Sequence, residues 1–172
     1  MKEGISLDTG NEHLSMREVW NKAYDVNVAG TQVMTHTFIP LLLKSSDPRI
    51  LFITSGQSSL QVLEKSWVPA HAPPPHAGWP KTTLSFASYR SSKTALNMMM
   101  LIWYWLLKED GIKVWCVSPG FLATDLGGIK EHLEAHGAGH PSVGGNLVRK
   151  VVEGERDEYV GKVVNSDGVQ PF

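Results

Sequence analysis

Apolar residues recur along the chain from Val19 to Leu43, with Gly30 among them. Ser15 and Glu18, just ahead, stand at the spacing of a capping box, in which two side chains satisfy N–H groups that a helix start leaves open. This pattern predicts a helix over 16–42, ended or kinked near its last turn by Pro40. The run RILFITS, Arg49 to Ser55, is short, apolar and rich in β-branched residues, which predicts a buried strand. From Gln57 to Ser85 periodicity is lost, and the segment PAHAPPPHAGWPK reads as extended chain. A second helix is predicted over about 87–109, with Gly111 at its C-cap. IKVWCVS, Ile112 to Ser118, is a second strand broken by Pro119-Gly120. A Gly- and His-containing region then runs from Gly127 to Gly145, a third helix covers about 142–153, and GKVVN opens the last strand. The first fourteen residues are polar and read as a loop, and no internal repeat is present. Helices alternating with apolar strands predict an α/β fold, with three parallel strands, helical crossovers and cover on both faces of the sheet.

Composition narrows this only slightly. The 172 residues suit one domain, 1–172, large enough to bury a core. A formal net charge of −1 gives no reason to expect a nucleic acid or an anionic membrane as partner. No apolar run reaches the roughly 20 residues of a membrane span, and Met1 is followed by no apolar leader segment. Cys116 is the only cysteine, so no intrachain disulfide forms, and a cytoplasmic setting is expected.

The second helix carries the candidate chemistry. In FASYRSSKTALNMMM, Tyr89 and Lys93 are four residues apart and share one helical face. A free phenol ionises near pH 10, too high for proton exchange at neutral pH. A fixed ammonium nearby favours the phenolate, by roughly 1–3 pH units, and makes the pair a usable acid/base. Many surface helices carry Tyr and Lys at this spacing by chance, so the pair alone is weak.

Its surroundings strengthen it. The helix resembles the active-site helix of the short-chain dehydrogenase/reductase family, with its Y-x-x-x-K signature. WNKAYDVNVAGTQ, RILFITSG, VWCVSPGFLATDL and GKVVNSDGVQPF resemble four further segments of that family, in the same order. The insert before Tyr89 and the YRSSKTALNMMM segment look most like fungal members. The resemblance implies the C-terminal half of a Rossmann-type doubly wound parallel sheet and an NAD(P)-dependent oxidoreductase interconverting a carbonyl and an alcohol. It implies Tyr89 as the acid/base and Lys93 as the group that lowers its pKa and binds the nicotinamide ribose. Ser55 would hydrogen-bond the substrate carbonyl, with Thr54 turned to the opposite face. Asn27 would anchor a water leading from Lys93 to solvent. Pro119, Gly120, Leu122 and Thr124 would line the nicotinamide, Leu122 N–H and Thr124 reaching its carboxamide. The two long helices would pair with those of a second subunit, giving a homo-oligomer.

Two features depart from the family pattern. No T-G-x-x-x-G-x-G loop follows a strand, so only the nicotinamide end of NADP or NAD is provided for, and the residue that chooses between them is absent. Gly4-Ile5 then marks the end of the family's fourth strand, the chain is expected to lack the N-terminal dinucleotide-binding half, and the strand bearing Ser55 is left with an apolar edge. The second departure is the long insert of residues 57–85 between Ser55 and Tyr89, expected either to form part of the substrate mouth or to be a surface loop without a role there. Trp, Phe and Pro near the site point to a bulky or apolar carbonyl compound. The alternative function is a non-catalytic fragment acting as the subunit of a full-length relative. His132, His136 and His140 recur every four residues, but Gly137 and Gly139 argue against one continuous helix there, and no metal site is assigned. The PPP segment reads as a folded loop rather than a module ligand, and Cys116 as a small core hydrophobe.

Overall fold

The computed structural model describes residues 13–65, 76–79 and 86–172. The expected loop over the first residues and most of the insert, including Trp67 and Pro73–Pro75, lie outside these. Helix α1 (Met16–Tyr24) starts on the predicted capping box: the Ser15 side chain accepts from Glu18 N, and Glu18 accepts from Ser15 N at 2.8 Å. A π-helical segment, Asp25–Gly30, joins it to α2 (Thr31–Leu42), so one helical run spans the predicted 16–42. Pro40 sits inside α2, where its missing N–H falls in the final turn and the helix continues only to Leu42. Strand β1 (Arg49–Ile53) follows, then the short helix α3 (Leu60–Lys65). The sequence pattern had shown no element where α3 lies, because six residues are too few to display a helical period.

Helix α4 (Ala87–Leu107) passes through a 3₁₀ turn to Gly111, which takes the left-handed conformation at φ +72°, as its C-cap position requires. Strand β2 (Lys113–Val117), helix α5 (Lys130–Ala135), helix α6 (Pro141–Val152), strand β3 (Val163–Asn165) and strand β4 (Gly168–Gln170) complete the chain. The sheet order is β1-β2-β3-β4. The first three strands are parallel as expected, in the register Arg49↔Lys113 and Val117↔Val164. The fourth corrects the prediction of three strands: β4 runs antiparallel to β3, making the sheet mixed. Ser166 and Asp167 form the tight connection, with Asp167 N donating to the Asn165 side chain at 2.9 Å. N-S-D-G is a turn signal, but the three-residue strand that starts at its glycine, Gly168–Gln170, is too short to announce itself.

The sheet is covered on both faces. Phe52, Val114, Cys116 and Val163 pack against Leu96, Met99, Met100 and Trp103 of α4, with Val28, Ile39 and Leu42 at the margin. Trp115, Val117 and Val164 face the other way, onto Leu147 and Val151 of α6. On the outside, Met98, Ile102 and Trp105 of α4 and Val33, Phe38 and Leu41 of α2 are exposed. Among the described residues no helix is long and apolar enough to cross a membrane.

An ion cluster ties the far ends of the strands together. Arg49 donates to both Asp157 oxygens at 2.5 and 3.0 Å and to Asp47 at 2.8 Å, and Lys113 Nζ reaches Asp157 at 2.6 Å and Asp47 at 3.0 Å. Chiefly through the Arg49 hydrogen bonds, the Asp157 carboxyl is pulled down to about 2. A depressed carboxylate contributes stability above its unfolded pKa and loses it as pH falls toward the folded one. We therefore expect Asp157→Asn to lower the urea midpoint at pH 6. The gap from the wild type should narrow between about pH 4 and about pH 2. A gap that stayed constant over that range would contradict the assignment.

Candidate active site

The candidate residues gather at the C-terminal ends of β1 and β2, where open parallel sheets form their binding crevice. Helix α4 opens after Phe86, whose φ of +50° makes it the one non-glycine with a positive φ among the described residues. That start puts Tyr89 in the first turn, half-buried, and Lys93 one turn later, buried at 4% exposure. Lys93 Nζ donates to the Ile53 carbonyl at 2.8 Å and lies 5.7 Å from the centre of the Tyr89 ring. The ammonium is thus fixed by the end of β1 and stands beside the phenol.

Asn27 lies in the π-helical segment, a widened turn of the kind that recurs at functional sites. It is 3% exposed, and its Nδ2 donates to Ser92 Oγ at 2.9 Å. Ser92 Oγ in turn donates to the Tyr89 carbonyl at 2.8 Å. A side-chain chain therefore joins the first helical run to the turn of α4 that bears Tyr89. Ser92 was not singled out from sequence; its signal is only that it lies between the members of the Y-x-x-x-K pair.

Ser55 follows β1 with an extended backbone, φ −152° and ψ 152°, and caps the turn Gly56–Ser58 by accepting from Gln57 N at 3.1 Å. Thr54 and Ser55 part as strand alternation predicts. Thr54 is buried against α4, its Oγ1 2.6 Å from Asn97 Oδ1, while Ser55 is half-buried at the crevice. The Ser55 carbonyl receives Ser58 N at 3.1 Å, Ser58 Oγ at 2.7 Å and Gln170 Nε2 at 3.2 Å. Gln170, on the strand the sequence did not reveal, is therefore part of the support of Ser55.

The loop after β2 starts beside this turn: a Cβ on Gly56 would lie 3.9 Å from Ser118 Oγ. Pro119 is followed by Gly120 at φ +102°, a backbone conformation that L side chains rarely adopt. Leu122 bridges Gly139 through Gly139 N to Phe121 O and Ala123 N to Gly139 O, both 2.9 Å. These bonds use the neighbours' groups, so the N–H of Leu122 points to the other side of the bridge. Thr124 Oγ1 accepts from Leu126 N at 3.3 Å and keeps its own proton to donate. An amide N–H and a hydroxyl on one loop are two donors of the kind a carboxamide oxygen accepts. Gly144 of α6 lets the loop sit this low: a Cβ there would come within 2.6 Å of Leu122 Cδ1 and 2.9 Å of Pro119 Cβ.

The discounted groups have their own occupations. Burial pushes the Cys116 thiol well up, with its Sγ 3.9 Å from the Leu96 carbonyl. The rings of His132 and His136 meet in a tilted arrangement with centroids 4.1 Å apart, whereas His140 caps α6 by accepting from Ser142 N at 3.2 Å. The helix breaks between them, at His136 and Gly137, where glycine was expected to end it.

A twisted α/β sheet with helices on both faces and a polar cluster at the carboxyl ends of its strands is the Rossmann-like class. The solved structures agree. The NADPH-bound carbonyl reductase from chicken fatty liver superposes with a TM-score of 0.75 at 23% identity, covering 99% of this chain and 64% of that one. The carbonyl reductase Sniffer of D. melanogaster gives 0.72 at 19% identity, covering 99% and 63%. No family model matches the chain. The curated relatives are closer in sequence. The chain is 55% identical, over 98% of its length, to the short-chain dehydrogenase/reductase tropE of Talaromyces stipitatus. It is 46% identical, again over 98%, to the short-chain dehydrogenase/reductase eupG of Phoma sp. The chain is thus similar, over nearly its whole length, to short-chain dehydrogenase/reductases, and it spans 64% of the length of these two relatives.

Proposed function

We propose that the chain carries the proton-transfer and nicotinamide-facing side of an NAD(P)-dependent oxidoreductase that interconverts a carbonyl and an alcohol. The observation that supports this best is the convergence of Tyr89, Lys93 and Ser55 at one strand end, with the ammonium of Lys93 fixed by the Ile53 carbonyl. When bound, the nicotinamide supplies or accepts the hydride. Leu122 N–H and Thr124 Oγ1 would hold its carboxamide, Pro119 and Gly120 its flank, and Lys93 its ribose. Ser55 Oγ, which already accepts from Gln57 N, has its proton to donate to a carbonyl oxygen and so stabilises the charge that develops there. Tyr89 gives its phenolic proton to that oxygen in reduction and takes it back in oxidation. Asn27, through Ser92, fixes the turn that carries Tyr89.

The substrate class is a small carbonyl or alcohol compound with apolar bulk, met by the exposed Phe121 of the cofactor loop. The exposed stripes of α2 and α4 would be covered by a second copy of the chain. Relatives named as oxidoreductases give no support to the non-catalytic alternative. Titrating the 172-residue chain with NADPH and with NADH, followed by nicotinamide fluorescence, tests the reading. Saturable binding is expected, and oxidation of the bound reduced cofactor should follow addition of an apolar ketone or aldehyde. A folded chain that bound neither nucleotide would overturn it.

A further inference from the structure

We infer that Asn97 is a positioning residue for Ser55, an inference that rests on Ser55 being the hydroxyl that meets the substrate oxygen. Behind Ser55 lies a cluster of three polar side chains that the proton-transfer scheme does not use. Thr54, Ser58 and Asn97 are 2%, 1% and 3% exposed, so their hydrogen bonds must close among themselves and the nearby backbone. Thr54 Oγ1 is 2.6 Å from Asn97 Oδ1, Asn97 Nδ2 is 2.9 Å from Ser58 Oγ, and Ser58 Oγ is 2.7 Å from the Ser55 carbonyl.

The supply of protons gives this cluster a direction. A hydroxyl has one proton, a carboxamide donates only from nitrogen, and a backbone carbonyl only accepts. Ser58 must therefore spend its proton on the Ser55 carbonyl, which leaves its oxygen to accept from Asn97 Nδ2. Asn97 Oδ1 then accepts the proton of Thr54. The other approaches of Thr54 Oγ1, 3.1 Å to Ser58 Oγ and 3.3 Å to the Lys93 carbonyl, are longer, and its single proton is already committed. The order Thr54 to Asn97 to Ser58 to Ser55 uses each of these protons once.

Its two ends are neighbours on the chain, Thr54 and Ser55, and its middle member stands on α4. Asn97 lies one turn beyond Lys93 and two beyond Tyr89. The circuit therefore ties the turn that aims Ser55 Oγ to the helix that carries Tyr89 and Lys93. Thr94 Oγ1 adds a second tie by donating to the Ser58 carbonyl at 2.8 Å. An apolar side chain at position 97 would fill the same space but leave Ser58 and Thr54 without their partner, freeing the turn to shift relative to the phenol.

The test compares Asn97→Leu and Thr54→Val, which break the circuit at different members, with Thr54→Ser, which keeps its proton. Hydrogen exchange of the Gln57 and Ser58 amides reports the turn directly, since they donate to Ser55 Oγ and to its carbonyl. In the first two variants we expect these amides to exchange about tenfold faster or more, with the amides of β2 unchanged, and Thr54→Ser to match the wild type. With NADPH and a carbonyl substrate, kcat should fall at least about tenfold while KM for NADPH stays within about threefold. If one variant does not fold, the other decides. Unchanged protection at Gln57 and Ser58, or equal loss of protection across β2, overturns the inference. A wild-type chain without turnover would count against the proposed function, and amide exchange alone would then decide the role of Asn97.

Discussion

Replacing Tyr89 by phenylalanine is expected to remove carbonyl reduction while leaving the fold and nucleotide binding in place. The substitution deletes one oxygen from a half-buried ring in the first turn of α4. The ring keeps its packing and Lys93 keeps its bond to the Ile53 carbonyl. In the proposed scheme, what disappears is the proton that the reacting oxygen receives. General acid–base groups contribute about 10²–10⁴-fold, and a fall of that size in kcat is the expected result. Thermal unfolding and NADPH titration of the same variant should match the wild type. A kcat within about tenfold of wild type would mean that another group supplies the proton, and the role assigned to Tyr89 would be wrong. Lys93→Met should differ in kind: the ammonium flanks the phenol and, in the proposed scheme, holds the ribose, so nucleotide affinity and kcat should fall together.

Trp115→Ala should produce the largest loss of stability. Trp115 is the largest fully buried side chain of the sheet, at 0% exposure in mid-β2. Its Nε1 donates to the Arg156 carbonyl at 3.1 Å, and the Arg49 guanidinium lies 5.4 Å from its ring. It joins the α6 face of the sheet to the ion cluster built on Asp157. Cutting a buried aromatic to alanine costs about 3–5 kcal/mol, a large share of the 5–15 kcal/mol that holds an ordinary domain together. At this chain length that corresponds to a drop in Tm of roughly 6–20 °C. A shift smaller than about 2 °C would show that the α6 face contributes little to folding. The loss should not depend on nucleotide chemistry, since Trp115 packs on the face away from α4.

The part of the site that sequence alone revealed is the part fixed by local spacing. Tyr89 and Lys93 share a face because a helix repeats every 3.6 residues, and Ser55 and Thr54 diverge because a strand alternates. The helical run over 16–42, α4, α6 and the three parallel strands follow from apolar period, capping residues and Gly111, all of which act within a few residues. The supports of the site were not legible in this way. Asn97 interrupts an apolar stretch, L-N-M-M-M, which marks it as unusual but cannot say that Thr54 and Ser58 meet it from 43 and 39 residues away. Gln170 reaches Ser55 across a separation of 115 residues, from a strand too short to carry a pattern. Gly144 appears in sequence as a poor helix residue, and only the packing of α6 on Leu122 and Pro119 explains it.

Propensity, period and motif spacing act locally, so the helical run over 16–42, α4, α6, the three parallel strands and the candidate reactive side chains could be read without the fold. The tertiary structure decided which side chains hold the reactive ones in place, the antiparallel turn of β4 and the height of the loop at Leu122. These depend on hydrogen-bond partners and contact surfaces brought together from distant parts of the chain, and no local pattern encodes that pairing.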